Sequence, residues 1–548
     1  MKKGIIGVLL VVILSFLISC GEKKENDEVE IIESKPEKLV VYIDGNPSHF
    51  SGEEFTGTLY PTNYTVGPRR IDGVPTASGG NIFQQALEEY EAKTGIEIEI
   101  HYLQEYGADE RYTLQELYED GKTMPDLVIA NKYQPYDYYN LANKELLLDL
   151  TPYMENDESK QNEELYFQSI LDAGKIDGKQ YIIPLTFNLN VLITSESYLK
   201  QIGVSAQEKL YYEDIIYWLK KSCEGMQDSQ GMDGIYESSG VFNGQYIMSI
   251  LNAAANPSYF DTELNSVLIS EKSLKCIYEV MKEYIRQEYT NLYGYEDMDY
   301  LQLQSSGQSK KRYIYHLLSG QEECIGIFLT GGRGGGTNDY HNVLTDAAYF
   351  NSYYKDKGDS MVLVGIPTCD NPDRYSANVD TMMFSFASCE HPEAIYDLMC
   401  YLMDYPFIVE AGLSVNKEIT NQQLENIQNT VLTLYPDDIV WRQVVNGALT
   451  KEKALESMIE IDSLDEDNVD KIRYMLKNIE GAGLPYYPLE YLMFWRVLNE
   501  IGSNNMTTEE ATEWTLDRLK ERLNLFEENV AFYDEEYDYG ILGWELPE

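Results

Sequence analysis

Positive charge is scarce in this chain of 548 residues. Lysine and arginine together number 42 against 92 aspartates and glutamates, so the formal net charge is −50 at pH 7. A chain of that charge repels the phosphates of nucleic acids, which excludes a DNA or RNA partner held by electrostatics. The acidity is typical of a well-solvated surface and requires no specific cationic partner.

Histidine is also rare, and the five histidines are far apart in the sequence. None of them has a two-histidine metal spacing or lies at a nucleophile elbow. The glycine run at 331–336 lacks the following Lys-Ser or Lys-Thr of a P-loop. The aspartates at 462–470 lack the offsets of an EF-hand. We therefore expect no metal and no cofactor.

Cysteines in paired C-x-x-C spacing are absent, which argues against zinc and redox motifs of that type. Apart from Cys20, the cysteines are scattered, at positions 223, 276, 324, 369, 389 and 400. Most are expected to be small buried hydrophobic residues. Disulfide formation stays open, because the sequence does not give a pairing.

Long apolar runs are missing beyond the N-terminus. The run from Ile5 to Ile18 follows Lys2 and Lys3 and stops just before Cys20. This order predicts a lipoprotein signal peptide over residues 1–20, because about fourteen residues are too few to span a bilayer. We expect acylation of Cys20, and hence a membrane-anchored protein that faces the extracytoplasmic side.

The residues after the signal predict a tether and then a large folded body. The segment 21–38 is charged and poor in apolar residues, as flexible tethers are. About 528 residues remain after the signal, more than one hydrophobic core usually organises, so two lobes or more are expected.

Strand and helix patterns alternate at the start of the body. Compact or alternating apolar runs begin at Leu39, at Ile96 and at Leu127, with helical periodicity between them. The order βαβαβ predicts a parallel sheet, and ligands of such sheets lie at the carboxyl ends of the strands. The residues that follow those ends are ordinary turn formers or candidate ligand contacts, namely Asp44, Asn46, Tyr133 and Gln134.

Further along, Tyr181 to Thr194 is a long extended run, interrupted by Pro184, Asn188 and Asn190, that is suited to crossing between lobes. Tyrosine is abundant, with 46 residues, and aromatic rings with a polar edge suit the faces of sugars. Position makes a few aromatic side chains candidates for that role, namely Tyr133, Phe187, Trp441 and Trp495. Without further context, the core is the more frequent place for each of them.

Taken in order, several segments resemble the extracellular solute-binding proteins of sugar ABC transporters, the group that includes the maltose-binding proteins. These segments are Ala86–Ile96, Met124–Val128, Leu148–Tyr153, Asp177–Pro184 and Thr508–Ala511. The resemblance covers most of the mature chain, and it depends on the order of the segments rather than on any single motif.

The resemblance implies an α/β, two-lobe, periplasmic-binding-protein-like fold with a ligand cleft between lobes joined by crossing hinge segments. The crossings are expected near Thr186–Asn188, near Asp380–Phe384 and near Tyr435. Lobe 1 is then 39–186 with 385–435, and lobe 2 is 187–384 with 436–548.

The resemblance also implies that certain residues contact the ligand. The loop residues Asp44, Asn46, Tyr133 and Gln134 are expected to offer polar groups, and Asn188 to face the cleft from the crossing strand. Trp495 matches a stacking position of the family. Arg333 falls where the family has a cleft aromatic, so its guanidinium is expected to stack or to bind an acidic group.

The sequence thus predicts a lipid-anchored protein, not an enzyme, that captures a carbohydrate and delivers it to the permease subunits of an ABC transporter. Two alternatives stay open. One is an extracellular glycan-degrading enzyme that uses two of the many carboxylates. The other is a surface lipoprotein that binds a protein or a peptide.

Overall fold

The computed structural model describes the chain in segments. These are residues 35–43, 82–102, 121, 123–131, 138–206, 209–225, 233–237, 251, 254, 260–261, 266–292, 325–330, 343–406, 412–429, 432–434, 450, 453, 456, 459–484, 497–498, 500–502 and 504–525. The chain divides into two compact units, Met1–Glu37 and Lys38–Glu548. All helices and strands named below belong to the second unit.

The strands are β1 (Lys38–Ile43), β2 (Glu97–Tyr102), β3 (Leu127–Asn131), β4 (Lys175–Ile176), β5 (Lys179–Gln180), β6 (Ile182–Leu189), β7 (Val191–Ser195), β8 (Asp233–Glu237), β9 (Phe260–Asp261), β10 (Ser266–Val267), β11 (Ile325–Thr330), β12 (Met361–Gly365), β13 (Tyr375–Phe384), β14 (Leu413–Ser414), β15 (Leu432–Leu434), β16 (Ile459–Ile461) and β17 (Ile479–Gly483).

The helices are α1 (Ile82–Thr94), α2 (Tyr138–Asn143), α3 (Thr151–Asn156), α4 (Gln168–Leu171), α5 (Glu196–Gln201), α6 (Tyr212–Gly225), α7 (Glu271–Leu292), α8 (Val343–Asp356), α9 (Pro392–Met403), α10 (Lys417–Asn429), α11 (Glu466–Lys477) and α12 (Thr508–Leu525). A short 3-10 helix covers Asp172–Gly174.

The first helix forms as its apolar spacing predicts. Phe83, Ala86, Leu87 and Tyr90 recur on one face, and all four are buried. The helix ends at Gly95, whose φ of +69° is accessible to glycine without the cost of a Cβ clash, and whose amide bonds to the Glu91 carbonyl.

A large first sheet has the strand order β14-β6-β13-β3-β1-β2, and β17 also pairs with β13. The strands β2, β1 and β3 run parallel, which confirms the parallel βαβαβ start. The strand β13 runs antiparallel to β3 and to β6. The carboxyl ends of β1, β3 and β6 therefore lie at one edge of this sheet, together with the start of β13.

A second sheet has the order β12-β7-β11-β8. Its strand β7 runs antiparallel to β11 and β12, and Val191 at the start of β7 is the partner of both Thr330 and Gly365. Because β8 runs parallel to β11, the carboxyl ends of three strands lie beside the start of β7.

The chain passes from the first sheet to the second at Asn190, between β6 and β7. The extended run that begins at Tyr181 therefore crosses between the sheets as predicted. The return passage is the segment 366–374, which joins β12 to β13 and which we call the return segment. The predicted crossing at Asp380–Phe384 instead lies inside β13, and 435 lies outside the described residues. The lobe boundaries stay predictions.

Candidate functional site

One edge of each sheet lies at Asn190, where the chain crosses from the first sheet to the second. In the first sheet, β6 ends at Leu189 and is followed at once by this residue, and in the second sheet β7 begins directly after it. The backbone carbonyl of Asn190 accepts a hydrogen bond of 2.9 Å from the amide of Ile366, in the return segment. The two passages are therefore in direct contact.

Most of the predicted ligand contacts lie outside the described residues. These are Asp44, Asn46, Tyr133, Gln134, Arg333, Trp441 and Trp495. The predicted acylation site, Cys20, also lies outside the described residues. Three of the strands that precede them in sequence, β1, β3 and β11, end at the edges next to the crossing. The roles of these residues stay predictions.

Phe187 and Asn188 are described, and they point to opposite sides of β6 because successive side chains of a strand alternate. Phe187 is fully buried and packs edge-on against Phe167, with 5.3 Å between the ring centroids. Its ring is thus part of the core, where it has no surface for a sugar. We do not carry Phe187 into the proposed site.

Asn188 belongs to a polar cluster that we call the crossing cluster, made of Thr186, Asn188 and Asp380. The amide nitrogen of Asn188 donates to the Asp380 carboxylate across 192 residues of sequence. A carboxylate only accepts, so this contact sets the orientation of the amide and directs Asn188 Oδ1 away from Asp380.

The crossing cluster holds buried hydrogen-bonding capacity. Thr186 is fully buried and Asn188 is 2% exposed. Among the residues that the structure describes, neither Thr186 Oγ1 nor Asn188 Oδ1 has a hydrogen-bond partner. A buried polar atom that lacks a hydrogen-bond partner costs about 1–3 kcal/mol of folding stability. Such atoms therefore often mark the place of a ligand or a water molecule.

Asp380 reaches this cluster because β13 is irregular there. Val379 pairs with Phe187 and Thr381 pairs with Thr186, so Asp380 is an extra residue opposite β6. Such a bulge bends a strand and redirects a side chain, and bulges are common near functional sites. Asp380 is the one partly exposed residue of the cluster, although its Oδ1 atom is buried.

Gly412 completes the wall of the crossing cluster. Its φ is +96°, a conformation that residues with a side chain rarely adopt. A Cβ added there would lie 3.2 Å from Asp380 Oδ2, from the Phe187 carbonyl and from Thr186 Cβ. The glycine therefore permits the backbone to lie directly against the carboxylate.

Buried amides next to the cluster hold the crossing in place. Asn190 accepts a 2.7 Å hydrogen bond from the Asn378 amide and donates to the Ser376 carbonyl at 3.2 Å. Asn190 and Asn378 are almost completely buried. These bonds join the passage between β6 and β7 to the start of β13, so the crossing cluster rests on a rigid support.

Sequence reasoning identified Asn188 but not Asp380, Thr186 or Gly412. One signal for Asp380 was present, because an acid between Val379 and Thr381 inside an apolar strand pattern is costly to bury. No local signal identifies the other two, since the threonine suits any strand and the glycine suits any turn.

The described part of the chain also gives two negative findings. It contains no group of three or more His, Cys, Asp or Glu side chains placed to hold a metal ion. Among the helices described, none has both the length and the apolar character needed to cross a membrane.

The crossing cluster is a set of hydrogen-bond acceptors and one hydroxyl, suited to a ligand with many O–H donors.

Comparison with known proteins gives matches only among solved structures. No family model matches the sequence. No curated protein matches it either. A Synechococcus sp. MITs9220 protein, assigned as an oligosaccharide periplasmic-binding protein and solved with zinc, is 14% identical with a TM-score of 0.51. The match covers 89% of this chain and 100% of that one.

Two further structures are similar to a lesser degree. A periplasmic oligogalacturonide-binding protein from Yersinia enterocolitica is 13% identical, with a TM-score of 0.48, over 82% of this chain and 96% of that one. An ABC substrate-binding protein from Listeria monocytogenes, solved with cycloalternan, is 15% identical, with a TM-score of 0.46, over 89% of this chain and 100% of that one.

The similarity to the Synechococcus structure concerns the fold. It confirms the fold class predicted from the sequence, the α/β, two-lobe fold of the periplasmic solute-binding proteins. At this fold level the resemblance to extracellular solute-binding proteins also holds.

Proposed function

We propose that this chain is a lipid-anchored, extracytoplasmic solute-binding protein that captures a carbohydrate and delivers it to the permease of an ABC transporter. One observation carries the proposal. The carboxyl ends of strands from both sheets meet at the crossing, and a buried cluster of polar atoms lies there. Open α/β sheets bind their ligands at such edges.

The chemistry of the crossing cluster favours a sugar. A sugar presents several hydroxyl groups, each of which donates one hydrogen bond and also accepts. The carboxylate of Asp380 and the Oδ1 atom of Asn188 are acceptors, and the Thr186 hydroxyl does both. We propose Asn188 and Asp380 as ligand contacts, together with a set of residues predicted from the sequence, namely Asp44, Asn46, Tyr133, Gln134, Arg333, Trp441 and Trp495.

In this proposal the protein breaks no bond and works by closure. Ligand contacts that come from both lobes exist only when the cleft is shut, so the ligand shifts the balance between open and closed forms. The lipid on Cys20 keeps the captured solute near its transporter. A flexible tether over 21–38 reaches about 20–25 Å, at roughly 5–6 Å times the square root of its length.

The experiment is a ligand screen followed by two matched variants. The purified protein is tested by thermal shift and calorimetry against neutral oligosaccharides and sugar acids. Asn188→Ala removes one ligand contact and the amide that orients Asp380, so we expect dissociation constants about 10- to 150-fold higher, corresponding to about 1.5–3 kcal/mol. Asn429→Ala is the control, because that exposed amide bonds to the Glu425 carbonyl within α10, away from the crossing cluster.

The outcomes separate this proposal from its alternatives. If no glycan binds, the carbohydrate assignment fails and a protein or peptide ligand gains support. If chromatography shows shortened products after incubation with oligosaccharides, the chain is an enzyme. If sugars bind but both variants bind them equally well, the protein captures carbohydrate at a site other than the crossing cluster.

A further inference from the structure

A cavity of about 550 Å³ lies beside the return segment, apart from the crossing cluster. One wall comes from the starts of α6 and α7, and another comes from Thr368, Cys369 and Asp370 of the return segment. The helix α7 packs on α6, which in turn packs on β8 and β11 of the second sheet. The cavity therefore lies between the return segment and helices that pack on the second sheet.

Two thiols from different segments of the chain line this cavity. Cys276 belongs to α7, and Cys369 belongs to the return segment. The Cys369 sulfur is 2.9 Å from the hydroxyl oxygen of Ser273, which also belongs to α7. Residues three apart on a helix are neighbours on its surface, with Cβ atoms about 5–6 Å apart, so Cys276 is the neighbour of the very residue that Cys369 touches.

The surroundings of both thiols keep them protonated. Burial raises the pKa of Cys369 to about 11, and burial also raises the pKa of Cys276. Cys276 adds to the rise in the pKa of Cys369, which places the two thiols within electrostatic range. Two lysines act on Cys276, and both are engaged by acids, Lys220 by Glu279 and Lys272 by Glu213. Both cysteines are free thiols in this structure.

We propose that Cys276 and Cys369 are a redox-active pair that joins in a reversible disulfide across the cavity. The reacting species is a thiolate, so the raised pKa values make the exchange faster at alkaline pH than at neutral pH. Overall, two S–H bonds break and one S–S bond forms, and the two electrons and two protons pass to a low-molecular-weight disulfide, which becomes two thiols. The product ties the return segment to α7 and restrains one of the two passages between the sheets.

The position of the pair gives the disulfide a mechanical effect. The return segment is otherwise held at its outer side by Asp373, which pairs with Lys209 and accepts a 3.4 Å hydrogen bond from Tyr474. These contacts are exposed and individually weak. A covalent link at Cys369 is much stronger, so it reduces the movement of the passage that the proposed lobe closure requires. That consequence rests on the proposed function, whereas formation of the link does not.

The test uses the full chain and needs no sugar. The reduced protein is incubated with oxidised glutathione, free thiols are alkylated, and the digest is analysed by mass spectrometry. We expect a linked peptide pair that contains residues 276 and 369, lighter by about 2 Da than the two free peptides, and its loss on treatment with dithiothreitol. Hydrogen exchange of the 366–374 amides is expected to slow in the linked form.

Three variants sharpen the result. Cys276→Ser and Cys369→Ser are each expected to abolish the linked peptide, while Cys389→Ser, a partly buried thiol near Asp126, keeps it. Full alkylation of both residues after oxidation overturns the proposal. A stable glutathione adduct on either residue, or a link from either to another cysteine, overturns it as well.

Discussion

Replacement of Gly412 by alanine tests the crossing cluster with a single added methyl group. Gly412 has a φ of +96°, and its Cβ would meet three atoms at 3.2 Å, one of them the Asp380 carboxylate. Gly358, at the end of α8, is the matched control. It has a φ of +70°, and a Cβ added there has no atom within 4 Å. Both substitutions place a side chain at a positive φ, and only Gly412→Ala presses on the cluster.

The magnitudes follow from these two geometries. A residue with a side chain in the left-handed region costs about 1–2 kcal/mol, which we expect for Gly358→Ala. Contacts of 3.2 Å are tighter than the 3.5–4.0 Å optimum between carbon atoms, and overpacking of a core typically costs about 1–3 kcal/mol. Gly412→Ala should therefore destabilise the protein by about 2–5 kcal/mol, and it should also displace Asp380 by a few tenths of an ångström.

The assay combines urea unfolding, followed by near-UV circular dichroism, with calorimetric titration of a sugar found in the screen. We expect Gly412→Ala to lower the free energy of unfolding more than Gly358→Ala does, and to weaken sugar binding that Gly358→Ala leaves unchanged. Equal destabilisation by the two substitutions, with unchanged binding in both, would refute the assignment of a close-packed binding cluster at Asp380.

Two further predictions concern a helix cap and alkaline pH. Thr507→Ala removes the hydroxyl that accepts from the Glu510 amide at the start of α12, and unfolding in urea should show a loss of about 1 kcal/mol; an unchanged midpoint would contradict the role of this cap. The pKa of Cys369 is raised from 9.0 to about 11 in the folded protein, so the folded state keeps its proton where the unfolded state loses it. Its contribution is complete below pH 9 and lost between pH 9 and 11, by about 2–3 kcal/mol. The free energy of unfolding in urea should therefore fall more steeply with rising pH in the wild type than in Cys369→Ala. Parallel pH profiles of the two proteins would exclude this linkage.

Local features of the fold were predictable because short-range chemistry controls them. The hairpin at Ile176–Gln180 forms around Asp177 and Gly178, both at positive φ, as its turn residues predict. A capping box begins α12, since Thr507 and Glu510 exchange hydrogen bonds through side chain and backbone.

The candidate site was predictable only in part. Asn188 visibly interrupts an apolar run, but its role as a ligand contact was implied by the resemblance to solute-binding proteins. Phe187 lies next to it, and the alternation of a strand directs its ring to the core, where Phe167 lies. Which residue lies in the apolar core and which in the polar cluster depends on helices and strands that are distant in sequence, so residue type alone did not separate the two roles.

The sequence by itself predicted the first helix, the parallel start of the first sheet, the crossing run and the fold class. Periodicity, turn residues and caps act over a few residues, so each of these features is written locally. Only the tertiary structure decided that Asp380 meets Asn188 across 192 residues, that Gly412 lies against both strands, and that Cys276 and Cys369 share one cavity. Those contacts depend on a strand bulge and on the pairing of distant strands, and no local pattern encodes either one.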